Sequence, residues 1–297
     1  VTNSTFFDFF DNNGMLKESI DANELIFSGS FSGLGVNAIT IDRAVNIKGT
    51  NSAALNDIYL ELIGNGISVD NFTININKQD YGIYVANAVD VVVKNSLVNF
   101  NDAGTSDAIA VYANGAGNLQ LINNTVTYSG QSKGKTLNHP VHIDDCRGAI
   151  IENNTIDAVG DGIQLAANAK NITVDNNVII SGKNYAVSVA GTTGTNTSIT
   201  NNYIISKDYY GNGAVTSKSN DTIIENNTPA GASINADISA IINKNATIKI
   251  DVLPFDANGN VTIKFNGKSE TINFNASQTI VYDLGVLGVG DYEVTVI

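Results

Sequence analysis

The chain has 297 residues, 43% of them apolar and 15% charged, with a formal net charge of −13 and a single cysteine. That balance excludes a disordered chain, which needs low hydrophobicity and high charge. It also excludes nucleic acid and anionic membrane surfaces as partners, since binding phosphate requires Lys and Arg. One cysteine, Cys146, leaves no internal disulfide and reads as a small buried apolar residue, its alternative being a nucleophile near His142.

The chain opens at Val1 with no signal peptide, which suggests a fragment excised from a longer extracellular protein whose targeting and anchoring elements lie elsewhere. No run of about 18 apolar residues is present to insert into a membrane. Phe6, Phe7, Phe9 and Phe10 form a short aromatic segment, predicted helical, with Gly14 as its C-cap. Residues 1–20 are read as a cap over the end of a solenoid, because an open coil would expose unpaired strand edges.

A repeat follows. Val91-Val92-Val93-Lys94-Asn95, Leu119-Gln120-Leu121-Ile122-Asn123, Ala149-Ile150-Ile151-Glu152-Asn153, Ile172-Thr173-Val174-Asp175-Asn176, Thr197-Ser198-Ile199-Thr200-Asn201 and Thr222-Ile223-Ile224-Glu225-Asn226 share one pattern, with Asn71 an earlier member. The asparagines recur every 23 to 30 residues, a solenoid period, and each unit alternates with period two, which is strand and not helix. Val93, Leu121, Ile151, Val174, Ile199 and Ile224 form one inward column. Continuing the alternation turns Asn71, Asn95, Asn123, Asn153, Asn176, Asn201 and Asn226 inward, where stacked amides about 4.8 Å apart would hydrogen-bond as a ladder. On that register the Asn-x-Ser/Thr triplets at Asn123, Asn153 and Asn226 face the core and escape glycosylation. Asn3, Asn171, Asn245 and Asn260 are the surface candidates.

Two further strands complete each coil. Ile74, Val98, Val126, Ile156, Ile179 and Ile204 mark one inward column, and the segments around Ile83, Ile109, Val141, Ile163 and Val187 mark the other. The expected fold is all-β: a three-stranded parallel β-helix over residues 1–230, then a small β domain over 231–297. In the latter, Thr247–Val252 and Val261–Phe265 alternate, Asn266-Gly267 signals a hairpin turn, and Gly290-Asp291-Tyr292-Glu293-Val294 resembles the tyrosine-corner strand of immunoglobulin-like modules.

The outward column of the strand preceding the Asn segment reads Tyr84, Ala110, His142, Gln164, Ser188 and Thr216. Just ahead of it lie Asp107, His139, Asp161 and Tyr185. Tyr84, Asp107, His139, His142, Asp161, Gln164 and Tyr185 are therefore the candidate ligand-binding residues, with the tyrosines to stack and the others to hydrogen-bond. The long connection Thr127–Asn138 could wall this face. Hydrolysis would need two carboxylates, for which Asp144, Asp145 and Asp161 are available. The same three could hold Ca²⁺, although the Gly-Asp calcium repeat is absent, and a zinc site at His139 and His142 lacks a third ligand. No cofactor or complete catalytic set is expected, and a solvated polar strand face is the plain alternative.

The Asn-Asn-Thr-Ile coils with Asp161-Gly162-Ile163 resemble the right-handed β-helix repeats of pectate-lyase-like proteins. Phe6-Phe7-Asp8-Phe9-Phe10-Asp11, Leu25-Ile26-Phe27-Ser28-Gly29-Ser30-Phe31 and Ile39-Thr40-Ile41-Asp42-Arg43 resemble the adhesin-like surface proteins of methanogenic archaea. The resemblance implies a right-handed helix, a cell-surface location, and other cells or glycans as partners. The alternative it leaves is a polysaccharide lyase or glycoside hydrolase on the same fold, and a third is a purely structural wall segment.

Overall fold

The computed structural model describes all residues except 51–52, 101–108, 129–138, 159, 183–184, 208, 228–232, 241–243, 254–258, 275–278 and 291. It divides into two units, Val1–Thr228 and Pro229–Ile297.

The first unit is a parallel β-helix. Its strands are short, two to six residues, because each must then turn a corner, and they recur in the order first, second, third sheet. The first sheet stacks nine strands, from Glu24–Phe27 to Ile223–Glu225, the second eight, from Ser30–Phe31 to Tyr203–Ile205, and the third eight, from Ala38–Ile41 to Val215–Ser217. Register is kept from rung to rung: Val69, Val93, Leu121, Ile151, Val174 and Ile199 are paired in sequence and all are buried. The second-sheet column Ile74, Val98, Val126, Ile156, Ile179 and Ile204 is buried likewise. β-Branched side chains suit this pleated, doubly flanked position. Ile224, on the last first-sheet strand, is only half-buried.

The asparagine register differs from the expectation by one residue. Asn71, Asn95, Asn123, Asn153, Asn176, Asn201 and Asn226 are exposed, and each has a positive φ between 52° and 62°. Asparagine tolerates this left-handed conformation better than most residues. The inversion interrupts period-two alternation, so two consecutive residues point out and the next points in. The internal ladder is therefore Asn124, Asn154, Asn177, Asn202 and Asn227, each 6% exposed or less. The backbone N–H and Nδ2 of each of the first four donate to the Oδ1 of the next, as from Asn154 to Asn177 at 2.8 and 3.0 Å and from Asn177 to Asn202 at 2.9 and 2.9 Å, and those of Asn227 donate to Asn212 Oδ1. Their Nδ2 groups also reach buried carbonyls, such as Leu121 from Asn154. An unsatisfied group at such a site costs about 1–3 kcal/mol, so the column is stable only as a complete set. The outward asparagines make their own partial ladder, with Asn123 Nδ2 donating to Asn95 Oδ1 at 2.7 Å and Asn176 Nδ2 to Asn153 Oδ1 at 2.5 Å. The triplets at Asn123, Asn153 and Asn226 accordingly begin at exposed side chains, contrary to their sequence reading.

A 3₁₀ turn Asn3–Thr5 and a helical turn Phe6–Phe9 sit at the N-terminal end, started by reciprocal Thr2–Thr5 capping. Phe6 and Phe10 are fully buried and stacked at 4.7 Å, and Phe10, Phe27 and Phe72 continue the aromatic cluster into the first coils. Gly14 is not the C-cap: the helix ends at Phe10. Gly14 lies in the following turn at φ +84°, where a Cβ would stand 2.0 Å from the Ala38 carbonyl oxygen.

The second unit has two three-stranded antiparallel sheets, one of Ser233–Ser239, Asn245–Leu253 and Ile280–Val286, the other of Lys268–Phe274, Gly259–Phe265 and Val294–Val296. Ile248 and Ile250 of the first and Val261 and Ile263 of the second share one core. Asn266 and Gly267, at φ 48° and 71°, make the two-residue hairpin. The Tyr292 hydroxyl donates back to the Gly288 carbonyl at 3.4 Å.

Candidate functional site

The third sheet places the sequence-predicted residues. Its outward column runs Thr40, Glu61, Tyr84, Tyr112, His142, Gln164, Ser188 and Thr216, one residue per rung. Ala110, expected in this column, is fully buried, and Tyr112 takes the place. The shift arises because Val111 and Ala113, not Ile109 and Val111, pair with Ile83 and Val85, so the outward residue between them is Tyr112. Alignment of Asn114-Gly115-Ala116-Gly117 with Asp144-Asp145-Cys146-Arg147 carried that signal in the sequence.

The aromatic residues pack on one another. Tyr84 and Tyr112 lie 5.3 Å apart and 8° from parallel, and Tyr81 stacks on both, at 5.0 and 5.5 Å. Tyr59 meets Tyr81 edge-on at 6.0 Å. At the other end His142 lies 5.2 Å from Tyr112, and His139 meets His142 edge-on at 5.7 Å. Tyr84 thus uses its ring on its neighbours, and what the row offers a ligand is chiefly its polar edges. All the tyrosines of the row, His142 and Gln164 are half-buried. Burial pushes the Tyr59 and Tyr112 phenols up from their ordinary range, with Glu61 adding to the first and Asp144 to the second. Asn114 Nδ2 donates to the Tyr112 hydroxyl at 3.2 Å.

His139 and Asp161 are brought together, His139 Nδ1 lying 3.3 Å from Asp161 Oδ2. His139 is 3% exposed, and among the described residues neither ring nitrogen has a hydrogen-bond partner. Burial, then the neighbouring His139, holds the His142 imidazole below its ordinary value, with Asp144 opposing. Tyr185 stands apart from this group and stacks on Tyr209 at 5.3 Å. Asp107 and most of the Thr127–Asn138 connection lie outside the described residues.

The catalytic and metal alternatives gain little from the geometry. Asp145 is exposed at a corner with φ 47°. Among the described residues no three of His, Cys, Asp and Glu converge on one point, so the Asp144, Asp145 and Asp161 calcium set is not assembled. Cys146 is fully buried, its Sγ donates to the Asp144 carbonyl at 3.1 Å, and burial pushes its thiol up to about 11. A thiol in that state is no nucleophile at neutral pH.

Comparison with known proteins follows the same lines. The family described as right handed beta helix region matches residues 61–229. The curated proteins yield no match. Among solved structures, the chain is similar to ORF18 of Geobacillus virus E2, with 12% identity, TM-score 0.41, and coverage of 99% of this chain and 78% of that one. It is also similar to full-length tailspike protein 2 (TSP2, ORF211) of Escherichia coli O157:H7 bacteriophage CAB120, with 12% identity, TM-score 0.26, and coverage of 96% and 65%.

Proposed function

The chain belongs to the right-handed β-helix family, and from that premise we propose that its third sheet is a glycan-recognition face on a cell-surface adhesin. The observation that carries the reading is the row Tyr84, Tyr112, His142 and Gln164, which holds half-buried hydrogen-bonding groups at one per rung over four successive rungs. Each ring is held by its neighbours, so little side-chain freedom remains to be lost on binding. A repeating polar edge suits a repeating ligand, and a chain of sugars has hydroxyls to meet it. The surface location and attachment to other cells extend the resemblance to methanogen adhesins. In that setting the second unit is an immunoglobulin-like spacer, a reading supported by its two sheets and the Tyr292–Gly288 bond.

A carbohydrate-active enzyme is the second reading, favoured by one observation: buried His139 against Asp161, next to His142, is a set of proton-exchanging groups beside the row. One experiment separates the two. The chain is offered a panel of polysaccharides, and both retention and release of new chain ends are measured for it and for the Tyr112→Ala, His142→Ala, Asp161→Asn and Tyr185→Ala variants. Retention without cleavage, weakened by Tyr112→Ala and unaffected by Tyr185→Ala, is the adhesin result. Cleavage lost in Asp161→Asn is the enzyme result. A chain that retains nothing and cleaves nothing overturns both.

A further inference from the structure

We propose that the ligand of the third-sheet face is a neutral or amino-sugar chain, and that polyuronates and sulfated glycans are rejected. This rests on the reading of that face as glycan-binding and adds the chemical class.

The argument is one of charge placement. None of the eight third-sheet strands contains a Lys or Arg. Two of their outward residues are acids: Glu61, whose Oε2 accepts a hydrogen bond from Thr40 at 2.7 Å, and Asp144 on the strand of His142. A third acid, Asp161, stands at the head of the next strand against His139. The first sheet is different, for Lys48 and Lys94 lie on its outer side and Lys94 faces Asp70 at 3.8 Å. Arg147 and Lys170 pair across the corner that leads to the first sheet, outside the strand face. His142 does not replace the missing cations at neutral pH, because burial holds its imidazole below the ordinary value.

A chain carrying one carboxylate or sulfate per sugar would therefore bring like charges onto Glu61 and Asp144 without a partner. The net charge of −13 opposes its approach as well. Hydroxyl groups meet no such penalty. A protonated amine gains at both carboxylates, and its attraction weakens as salt shortens the Debye length, about 10 Å at 0.1 M.

The test measures retention of the intact chain by three soluble polysaccharides, a neutral glucan, chitosan and polygalacturonate, in low and high salt. The expected result is binding of the glucan or of chitosan, with polygalacturonate at least about tenfold weaker and the chitosan signal falling with salt. The double variant Glu61→Gln with Asp144→Asn is expected to reduce chitosan binding and narrow the gap to polygalacturonate, leaving the glucan unchanged. Residues 129–138 hold Lys133 and Lys135 outside the described residues. The variant Lys133→Ser with Lys135→Ser is expected to leave the order of preference as it was. Tightest binding of polygalacturonate, whether or not those lysines supply it, overturns the proposed class and leaves the glycan reading standing. Binding of none of the three, or of any wider panel, removes the glycan reading and this inference with it.

Discussion

Asn154 Oδ1 accepts two hydrogen bonds from Asn124, one from its backbone N–H at 2.9 Å and one from its Nδ2 at 3.0 Å. Asn154 in turn donates twice to Asn177 and once to the Leu121 carbonyl. Replacing it with the apolar, similarly sized leucine leaves the buried Asn124 N–H without its acceptor and takes one bond from the Leu121 carbonyl. Asn154→Leu is therefore expected to lower stability by about 1–3 kcal/mol, chiefly from the orphaned Asn124 N–H. Asn153→Gly, one residue earlier, is expected to change it by only a few tenths, because the side chain is exposed and glycine accepts φ 58°. Urea unfolding of both variants measures the difference. Equal losses would show that the buried column is not the one holding the coils.

That pair also marks how far the sequence could be read. Strand periodicity, rung spacing and the columns Val93 to Ile199 and Ile74 to Ile204 were legible because each side chain answers to burial alone. The asparagine register was not, since period-two counting assumes extended backbone and a positive φ at Asn95, Asn123 or Asn153 breaks it. The doublets Asn123-Asn124, Asn153-Asn154 and Asn176-Asn177 held the correction: one amide makes the turn and the next fills the core. A second ladder, in which Asn75 Nδ2 donates to Asn56 Oδ1 and Asn99 Nδ2 to Asn75 Oδ1, both at 2.9 Å, was hidden because those residues sit in strands that read simply as alternating. At the candidate site Tyr84, His142 and Gln164 were found from one column, while Tyr112 was missed because Ile109 and Val111 alternate as well as the pair Val111 and Ala113 that stacks on Ile83 and Val85.

Gly49 shows how little room the coil spacing leaves. A Cβ there would stand 2.1 Å from the Asn71 carbonyl oxygen and 2.9 Å from Ala53 Cβ. Backbone cannot yield as a side-chain tip can, so Gly49→Ala is expected to cost roughly 1–3 kcal/mol or more by overpacking. Gly29→Ala meets no atom within 4 Å, and only its φ of +85° resists, at about 1–2 kcal/mol. Denaturant midpoints rank the two. A Gly49→Ala chain as stable as the parent would mean that adjacent coils part more easily than their spacing suggests.

Cys146 provides a probe of the helix interior. It is buried, its thiol is pushed up to about 11, and no thiolate forms near neutrality to attack a reagent. A disulfide reagent is expected to label the native chain far more slowly than the chain in urea, with the native rate set by opening of the coil. Fast labelling at native conditions would place Cys146 at the surface.

His142 gives the pH dependence a sign. Its folded value is lowered from the ordinary 6.5, mainly by burial and then by His139. The folded state therefore binds this proton less readily than the unfolded chain does. Above the unfolded value both states are neutral and the histidine contributes nothing. As pH falls through about 6.5 the unfolded chain takes up the proton first, and stability declines until the folded value is passed. Carboxylates held low act in a separate, more acid window: Asp11 by backbone N–H groups and Asp251 by Thr279 and Lys249, whose stabilising effect is lost only below about pH 4. The expected profile has two descents, and His142→Gln removes the upper one alone. Thermal unfolding between pH 8 and pH 3 for the parent and the variant resolves them. An upper descent that survives His142→Gln would show that His142 is not its source.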